Sequence, residues 1–436
     1  MTPGEFARRR KGLMRSMEAG SVAILPAAPT RIRNRDVEHP YRQDSDFLYL
    51  TGFPEPEAVA VLAPGREQGQ FILFCRDKDP DQEIWHGRRA GPAGAVERYG
   101  ADDSFPVTDI DEILPGLLED RRRVYYTMGR YGEFDHHLMD WINQIRARVR
   151  AGSHAPHEFV ALDYLVHDMR LFKSRSEIAA MKKAATISVA AHERAMRSCR
   201  PGKFEYEIEA ELNYEFGRNG TVCSYPSIVG GGANGCILHY TENRDRLEDG
   251  DLLLIDAGAE YEGYAADITR TFPVNGSFTD AQRAIYEVVL AAQLAAIGKV
   301  KPGNHWNDPH KAAVRVLTRG LVELGLLKGD PRKLIRDAAY RRFYMHRTGH
   351  WLGLDVHDVG DYRLSGQWRL LEPGMVLTIE PGIYIPAGSR GVPKRWWNIG
   401  VRIEDDILVT RGGRQVLTDG LVREPDAVSA LVGAIA

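Results

Sequence analysis

Acidic and imidazole side chains recur in the second half of this sequence where a folded chain would ordinarily place apolar ones. The first such stretch, Asp251 to Arg270, reads as two strands joined by a tight turn, with Leu252 to Ile255 as an apolar run and Gly263 supplying the turn chemistry. A hairpin centred near Tyr261 and Glu262 pairs residues whose numbers sum to 523, which sets Asp256 opposite Asp267. Cross-strand partners have Cβ atoms about 5 Å apart. Two carboxylates that close raise each other's pKa unless a cation lies between them, and a divalent metal is the natural occupant. Alone, two such acids would more often be turn-flanking surface residues.

Further acids decide against that plain reading. Between Met375 and Glu380 the alternation puts Met375, Leu377 and Ile379 on one face and Val376, Thr378 and Glu380 on the other, and Pro381-Gly382 ends the strand. From Ile399 to Glu404, Val401 and Ile403 share a face opposite Arg402 and Glu404. Between Asp267 and Glu380 lie His346, His350 and His357, three histidines in twelve residues. Four carboxylates with one imidazole make a site for two hard or borderline cations. Carboxylates suit manganese and magnesium, and a nitrogen ligand widens the choice to cobalt, iron or zinc.

Asp256, Asp267, His350, Glu380 and Glu404, in that order and each on its motif, resemble the five-ligand set of the pita-bread metallopeptidases. His350 to Asp358, Thr-Ile-Glu-Pro-Gly-Ile-Tyr at 378 to 384 and Val-Arg-Ile-Glu-Asp-Asp at 401 to 406 resemble the proline-specific branch, the aminopeptidase P family above all. The likeness reaches the start of the chain through Asn34-Arg35-Asp36 and Tyr41 to Phe47. It implies an α/β N-terminal domain of creatinase type followed by an α+β pita-bread catalytic domain with an internal pseudo-twofold repeat. It also implies two divalent ions, manganese foremost with zinc or cobalt as alternatives, and a shared water that attacks the scissile carbonyl. Asp267 and Glu404 are expected to bridge the ions, Asp256 to complete one, and His350 and Glu380 the other. Glu380 is then the general base and His357 a hydrogen-bond donor to the developing oxyanion. His239 matches a further catalytic histidine of the family, and His239, His346, His357, Tyr384 and Arg402 fall on the substrate side, with Tyr225 a pocket residue.

The substrate expected from this resemblance is a peptide with proline second, whose scissile bond offers no amide hydrogen. Recognition then rests on the ring, the free amino terminus and the carbonyl. The nearest rival is a prolidase, a dipeptidase with the same ligands. A non-catalytic binding module of the same fold usually lacks ligands, and all five are present here. Methionine aminopeptidase is disfavoured by the roughly 170 residues ahead of the catalytic part, and creatine-hydrolysing relatives by the intact ligand set.

The elements that must carry these residues follow from patterning. Short apolar runs at Val22 to Leu25, Phe47 to Leu50, Ala58 to Leu62, Phe71 to Phe74 and Val124 to Thr127 are expected as strands of a helix-flanked sheet. Ser174-Arg175-Ser176-Glu177 is a capping box opening a helix through Arg197, so the domains are expected at 1–172 and 173–436. From there two helices and strand-like sequence occur twice, about 100 residues apart, the second copy opened by Thr279-Asp280-Ala281-Gln282. Asp256 and Asp267 belong to the first copy, and His350, Glu380 and Glu404 to the second.

Composition excludes other classes. The 436 residues are 43% hydrophobic and 27% charged with net charge −3, so no nucleic-acid partner is indicated. No secretory leader or membrane-length apolar run is present, and a cytoplasmic location is expected. Cys75, Cys199, Cys223 and Cys236 lack metal spacing and read as free thiols. Gly230-Gly231-Gly232 lacks the Gly-Lys-Ser/Thr of a phosphate loop and is expected to let the backbone pass close to the site. The basic run Arg146 to Arg150 reads as a solvated helix end. His86, beside Trp85, carries no assigned role, and a homodimer or homotetramer is implied by the family alone.

Overall fold

A computed structural model describes residues 1–433. The chain divides into two compact units, Met1–Arg170 and Leu171–Ala436.

The first unit is built on a six-stranded mixed sheet. Its order is Asp103–Pro106, Phe71–Cys75, Val59–Leu62, Ser21–Pro26, Arg123–Tyr125 and Glu158–Val160. Four of these strands coincide with the apolar runs, and their inward residues pack with Leu138, Trp141, Ile142 and Ile145 of a helix over Gly132–Ala147. Phe47 to Leu50 is not a strand: it lies in the helix Ser45–Thr51. Four apolar residues cannot separate the two periods, and the deciding residue is Asp44, whose carboxylate accepts from the backbone N–H of Asp46 and Phe47 at 2.9 Å. The two edge strands escaped the pattern because they are polar and only half-buried.

The second unit repeats itself. Helices Arg175–Ser198 and Glu205–Arg218 form one pair, and Asp280–Ile297 and Asn307–Glu323 the other. Ser174 with Glu177 and Thr279 with Gln282 form the capping boxes that open the two leading helices. Each pair covers its own strands. In the first half these are Ile228–Gly231, Leu252–Ala257 and Ile268–Pro273. In the second, Val376–Ile379 pairs with Asp405–Thr410, and Gly382–Ile385 with Ile399–Arg402.

The halves meet along the inner strands. Glu404 N–H donates to the Thr269 carbonyl at 3.0 Å, and the Thr271 hydroxyl to the Arg402 carbonyl at 3.0 Å. Beneath this seam Arg270, fully buried, reaches Asp405 at 2.9 Å and donates to the Glu404 carbonyl at 2.6 Å. A charge so deeply placed is tolerated because each of its donors has an acceptor.

The central hairpin differs from expectation in register. Its turn residues are Glu262 and Gly263, at φ 51° and 83°, and two successive positive φ values define the tight primed turn. Facing residue numbers therefore sum to 525 rather than 523: Asp256 opposes Thr269, and Tyr261 opposes Tyr264. Asp267 is displaced by two positions and stands diagonal to Asp256. A slip of two keeps every side chain on its face, whereas a slip of one would have sent an aspartate to the opposite side. The two acids still converge.

Candidate active site

Asp256, at the end of its strand, and Asp267, just before the next one, are 8% and 5% exposed. Tyr225 Oη lies 2.5 Å from Asp256 Oδ1 and 2.5 Å from Asp267 Oδ1. A phenol has one proton to donate, so two ionised carboxylates cannot both be satisfied by it. Arg402 approaches from the opposite half. Its Nη2 donates to Asp256 Oδ2 at 2.6 Å, its Nε to Thr269 Oγ1 at 3.1 Å and its Nη1 to Tyr384 Oη at 3.0 Å. The Thr269 hydroxyl in turn donates to Glu404 Oε2 at 2.7 Å. One guanidinium thus sets Asp256 directly and Glu404 through a single hydroxyl.

His350 enters beside the Val376–Ile379 strand, with its carbonyl accepting from Thr378 N–H at 2.9 Å. Its Nδ1 lies 2.9 Å from the Trp351 carbonyl, which can only accept, so Nδ1 carries a proton. That leaves Nε2, 3.3 Å from Asp267 Oδ2, as the group facing the acids. An imidazole anchored in this way is oriented as a metal ligand. Glu380 follows the same strand, its N–H held by the Thr348 carbonyl at 2.8 Å and its Oε2 3.6 Å from His346 Nδ1.

Donor atoms of Asp267, His350 and Glu404 all lie within 4.8 Å of one another, enough to hold a metal ion. Asp256 is joined to that trio through Tyr225 and Arg402. The electrostatics fit a cation in their midst. Burial raises Asp256 and Glu404, and the neighbouring Asp267 charge adds to both. Burial likewise lifts Glu380 to about 7, against the pull of His350 and Arg402. Burial would raise Asp267 as well, but the His350 hydrogen bond and charge hold it below its ordinary value. His350 shows the reverse balance: burial would depress it, and Asp267 lifts it to about 9. A crowd of carboxylates that must bind protons to coexist is one that a divalent ion would relieve.

Of the remaining expected residues, His239, His346 and His357 line the same cavity, of about 1160 Å³, and Tyr384 is buried against two of its lining residues, His346 and Arg402. His357 stands edge-on to His350 with ring centroids 4.4 Å apart, its pKa lowered by burial and then by His350. His346 donates from Nδ1 to the Arg347 carbonyl at 2.7 Å, so its Nε2 accepts the Tyr384 hydroxyl at 2.8 Å. Burial and Arg402 drive His346 down to about 3, leaving it neutral. Tyr384 is 1% exposed and tied to both His346 and Arg402. His239 is on the cavity wall, exposed and apart from the acidic cluster.

Two participants were missed or underrated from sequence. Thr269 was not singled out, although it is two residues beyond Asp267 on the same strand face and period-two alternation would have found it. Tyr225, expected only as a pocket residue, bridges both aspartates.

The model of metallopeptidase family M24 matches residues 179–411, more than half the chain, and that of the aminopeptidase P N-terminal domain matches 6–125. The chain belongs to metallopeptidase family M24. Among M24 proteins it is 48% identical to the Xaa-Pro aminopeptidase of Escherichia coli, over 98% of this chain and 97% of that one. The Haemophilus influenzae Xaa-Pro aminopeptidase is 44% identical over 96% and 95%. The solved Pseudomonas aeruginosa aminopeptidase PepP superposes with TM-score 0.98 at 60% identity, covering 99% of this chain and 98% of that one. A zinc-substituted Escherichia coli aminopeptidase P in complex with product gives TM-score 0.96 at 48% identity, with 99% and 98% covered. The M24 chain described here is therefore a metal-dependent aminopeptidase with the creatinase-type first domain and pita-bread second domain of that group. No helix among the described residues is long and apolar enough to cross a membrane.

Proposed function

We propose that the enzyme removes the N-terminal residue of peptides whose second residue is proline, using two divalent ions, manganese foremost. The observation that carries this reading is the convergence of Asp256, Asp267, His350, Glu380 and Glu404 from both halves of the second unit onto one cavity. Those five residues would hold the ions. When bound, divalent ions lower the pKa of a coordinated water and polarise a carbonyl.

The protein's own residues then do the rest. Arg402 and Thr269 keep Asp256 and Glu404 facing inward, and the Trp351 carbonyl keeps His350 Nε2 toward Asp267. Glu380, half-buried and lifted to about 7, takes a proton at its carboxylate from the attacking water and returns it to the departing proline nitrogen. His357, neutral beside His350, donates to the carbonyl oxygen as negative charge develops there. The positively charged amino terminus of the substrate is drawn to the acidic floor. The proline ring offers no hydrogen-bond donor and is recognised by shape between His239 and His346, the latter held by Tyr384. A cytoplasmic homodimer or homotetramer completes the proposal, on family grounds.

The test uses chelator-stripped protein with manganese restored, incubated in parallel with Ala-Pro-Ala and Ala-Pro and followed by mass spectrometry. Faster alanine release from the tripeptide supports the aminopeptidase. Cleavage confined to the dipeptide would make the chain a prolidase, and cleavage of neither with manganese, cobalt or zinc would make it a binding module.

A further inference from the structure

The cavity is larger than one amino-terminal residue and a proline ring require, and its outer end has a chemistry of its own. Arg363 and Trp368 face one another across a short hairpin, Arg363–Leu364 paired with Gln367–Trp368. The Arg363 guanidinium lies 4.0 Å from the Trp368 ring centroid, and that of Arg347, from the loop before His350, lies 5.1 Å from the same ring. Arg347 is further fixed by a 2.5 Å hydrogen bond from Nη2 to Asn307 Oδ1. The hairpin's base is rigid: Tyr362 stacks on Trp351 with 4° between planes and meets Trp306 at 4.7 Å.

Like charges are thus gathered on one indole without compensation. Among the described residues neither guanidinium has a carboxylate within 4.0 Å, although Asp361 lines the same cavity. Burial depresses Arg347, and Arg363 and Arg341 act in the same direction. Arg402, which lines the same cavity, is by contrast spent on Asp256. Two that are not, held over an aromatic face, keep most of their donors for an anion.

We propose that Arg347, Arg363 and Trp368 form a carboxylate-binding subsite for the part of the peptide downstream of proline. This rests on the aminopeptidase reading above and extends it. The polarity of the cavity fixes the direction: the cationic amino terminus goes to the acidic floor, so the arginine end receives the rest of the chain. The carboxylate has two sources, the C-terminus of a short peptide or an Asp or Glu side chain in a longer one.

Paired substrates separate them. With manganese-loaded enzyme, kcat/KM is measured for Ala-Pro-Ala against its C-terminal amide, and for Ala-Pro-Glu-Ala-amide against Ala-Pro-Gln-Ala-amide. The expected advantage of the carboxylate partner in at least one pair is about three- to tenfold, seated in KM and shrinking with added salt. The same ratio should collapse toward one in Arg363→Gln combined with Arg347→Gln. Which pair shows it identifies the source. No advantage in either pair, or an advantage that survives in the double variant, overturns the proposal. Should no peptide be cleaved, the aminopeptidase reading fails by itself. The subsite is then judged by tryptophan fluorescence titration with Pro-Ala against Pro-Ala-amide, where equal affinities overturn it and tighter binding of the free acid, lost in the double variant, sustains it.

Discussion

Arg402 Nη2 lies 2.6 Å from Asp256 Oδ2, and the same guanidinium reaches Thr269 and Tyr384. Three donors in a fixed plane thus hold an expected metal ligand, a hydroxyl that orients Glu404, and a buried tyrosine. A lysine supplies the charge but not the fork. For Arg402→Lys we expect metal affinity to fall about 10- to 100-fold, as for other groups that orient ligands, with a loss of kcat that saturating manganese restores only in part. Calorimetric titration with manganese beside steady-state kinetics checks this; unchanged affinity would show that Asp256 needs no such support.

Tyr225 places one hydroxyl 2.5 Å from each of two carboxylates. Burial and the charges of Asp256, Asp267 and Glu404 raise its pKa well above the ordinary phenol value, so it stays protonated. Tyr225→Phe leaves Asp256 and Asp267 with one partner fewer in a buried place, a loss of about 1–3 kcal/mol for the metal-free protein. A bound cation satisfies the same oxygens, so the loss should be smaller with manganese. Thermal melts of both proteins with and without metal decide it, and an equal drop in both states would contradict the bridging role.

A Cβ built on Gly400 would run into the Gly235 backbone carbonyl, because the Gly232–Cys236 turn lies directly against the Ile399–Arg402 strand. One of the two backbones must shift to admit the methyl group, and the strand carries Arg402. Gly400→Ala should therefore cost several kcal/mol and lower the melting temperature by roughly 5 °C or more. Differential scanning calorimetry on the purified variant is the check; a melting point within a degree of the parent would mean that the contact relaxes.

Much of this site was legible because period-two strands expose a misplaced acid. Glu380 and Glu404 stood out because each lies on the face opposite the main apolar set of its strand, and the structure places both on the cavity. The capping boxes at Ser174 and Thr279 marked both helix starts because they are local, needing only four residues. Register was less legible. It depends on which two residues adopt positive φ, and Glu262 is not a residue whose type announces that. Phe47 to Leu50 failed for a related reason, since a run shorter than two helical turns carries no period and its state was set by the Asp44 cap. Period-two alternation from Asp267 marks the face on which Thr269 lies, but its partner Arg402 comes from the other half and only the fold brings the two together.

The acidity of the site gives its pH dependence a sign. In the metal-free protein burial lifts Glu380 to about 7, and Asp267 lifts His350 to about 9 against the opposing effect of burial. Both values lie above those of the unfolded chain, so the folded protein holds extra protons: on Glu380 between the ordinary carboxylate range and about 7, and on His350 between 6.5 and about 9. Wherever the folded state binds more protons, stability falls as pH rises. Metal-free protein should therefore melt at progressively lower temperature from pH 6 to 9. Metal ligation needs both groups deprotonated, so binding releases protons and tightens over the same range. The manganese-induced rise in melting temperature is accordingly expected to be larger at pH 8 than at pH 6, and a pH indicator in weakly buffered solution should register proton release on addition of metal. A shift in melting temperature that is constant with pH, with no protons released, would mean that neither Glu380 nor His350 is protonated before the metal arrives.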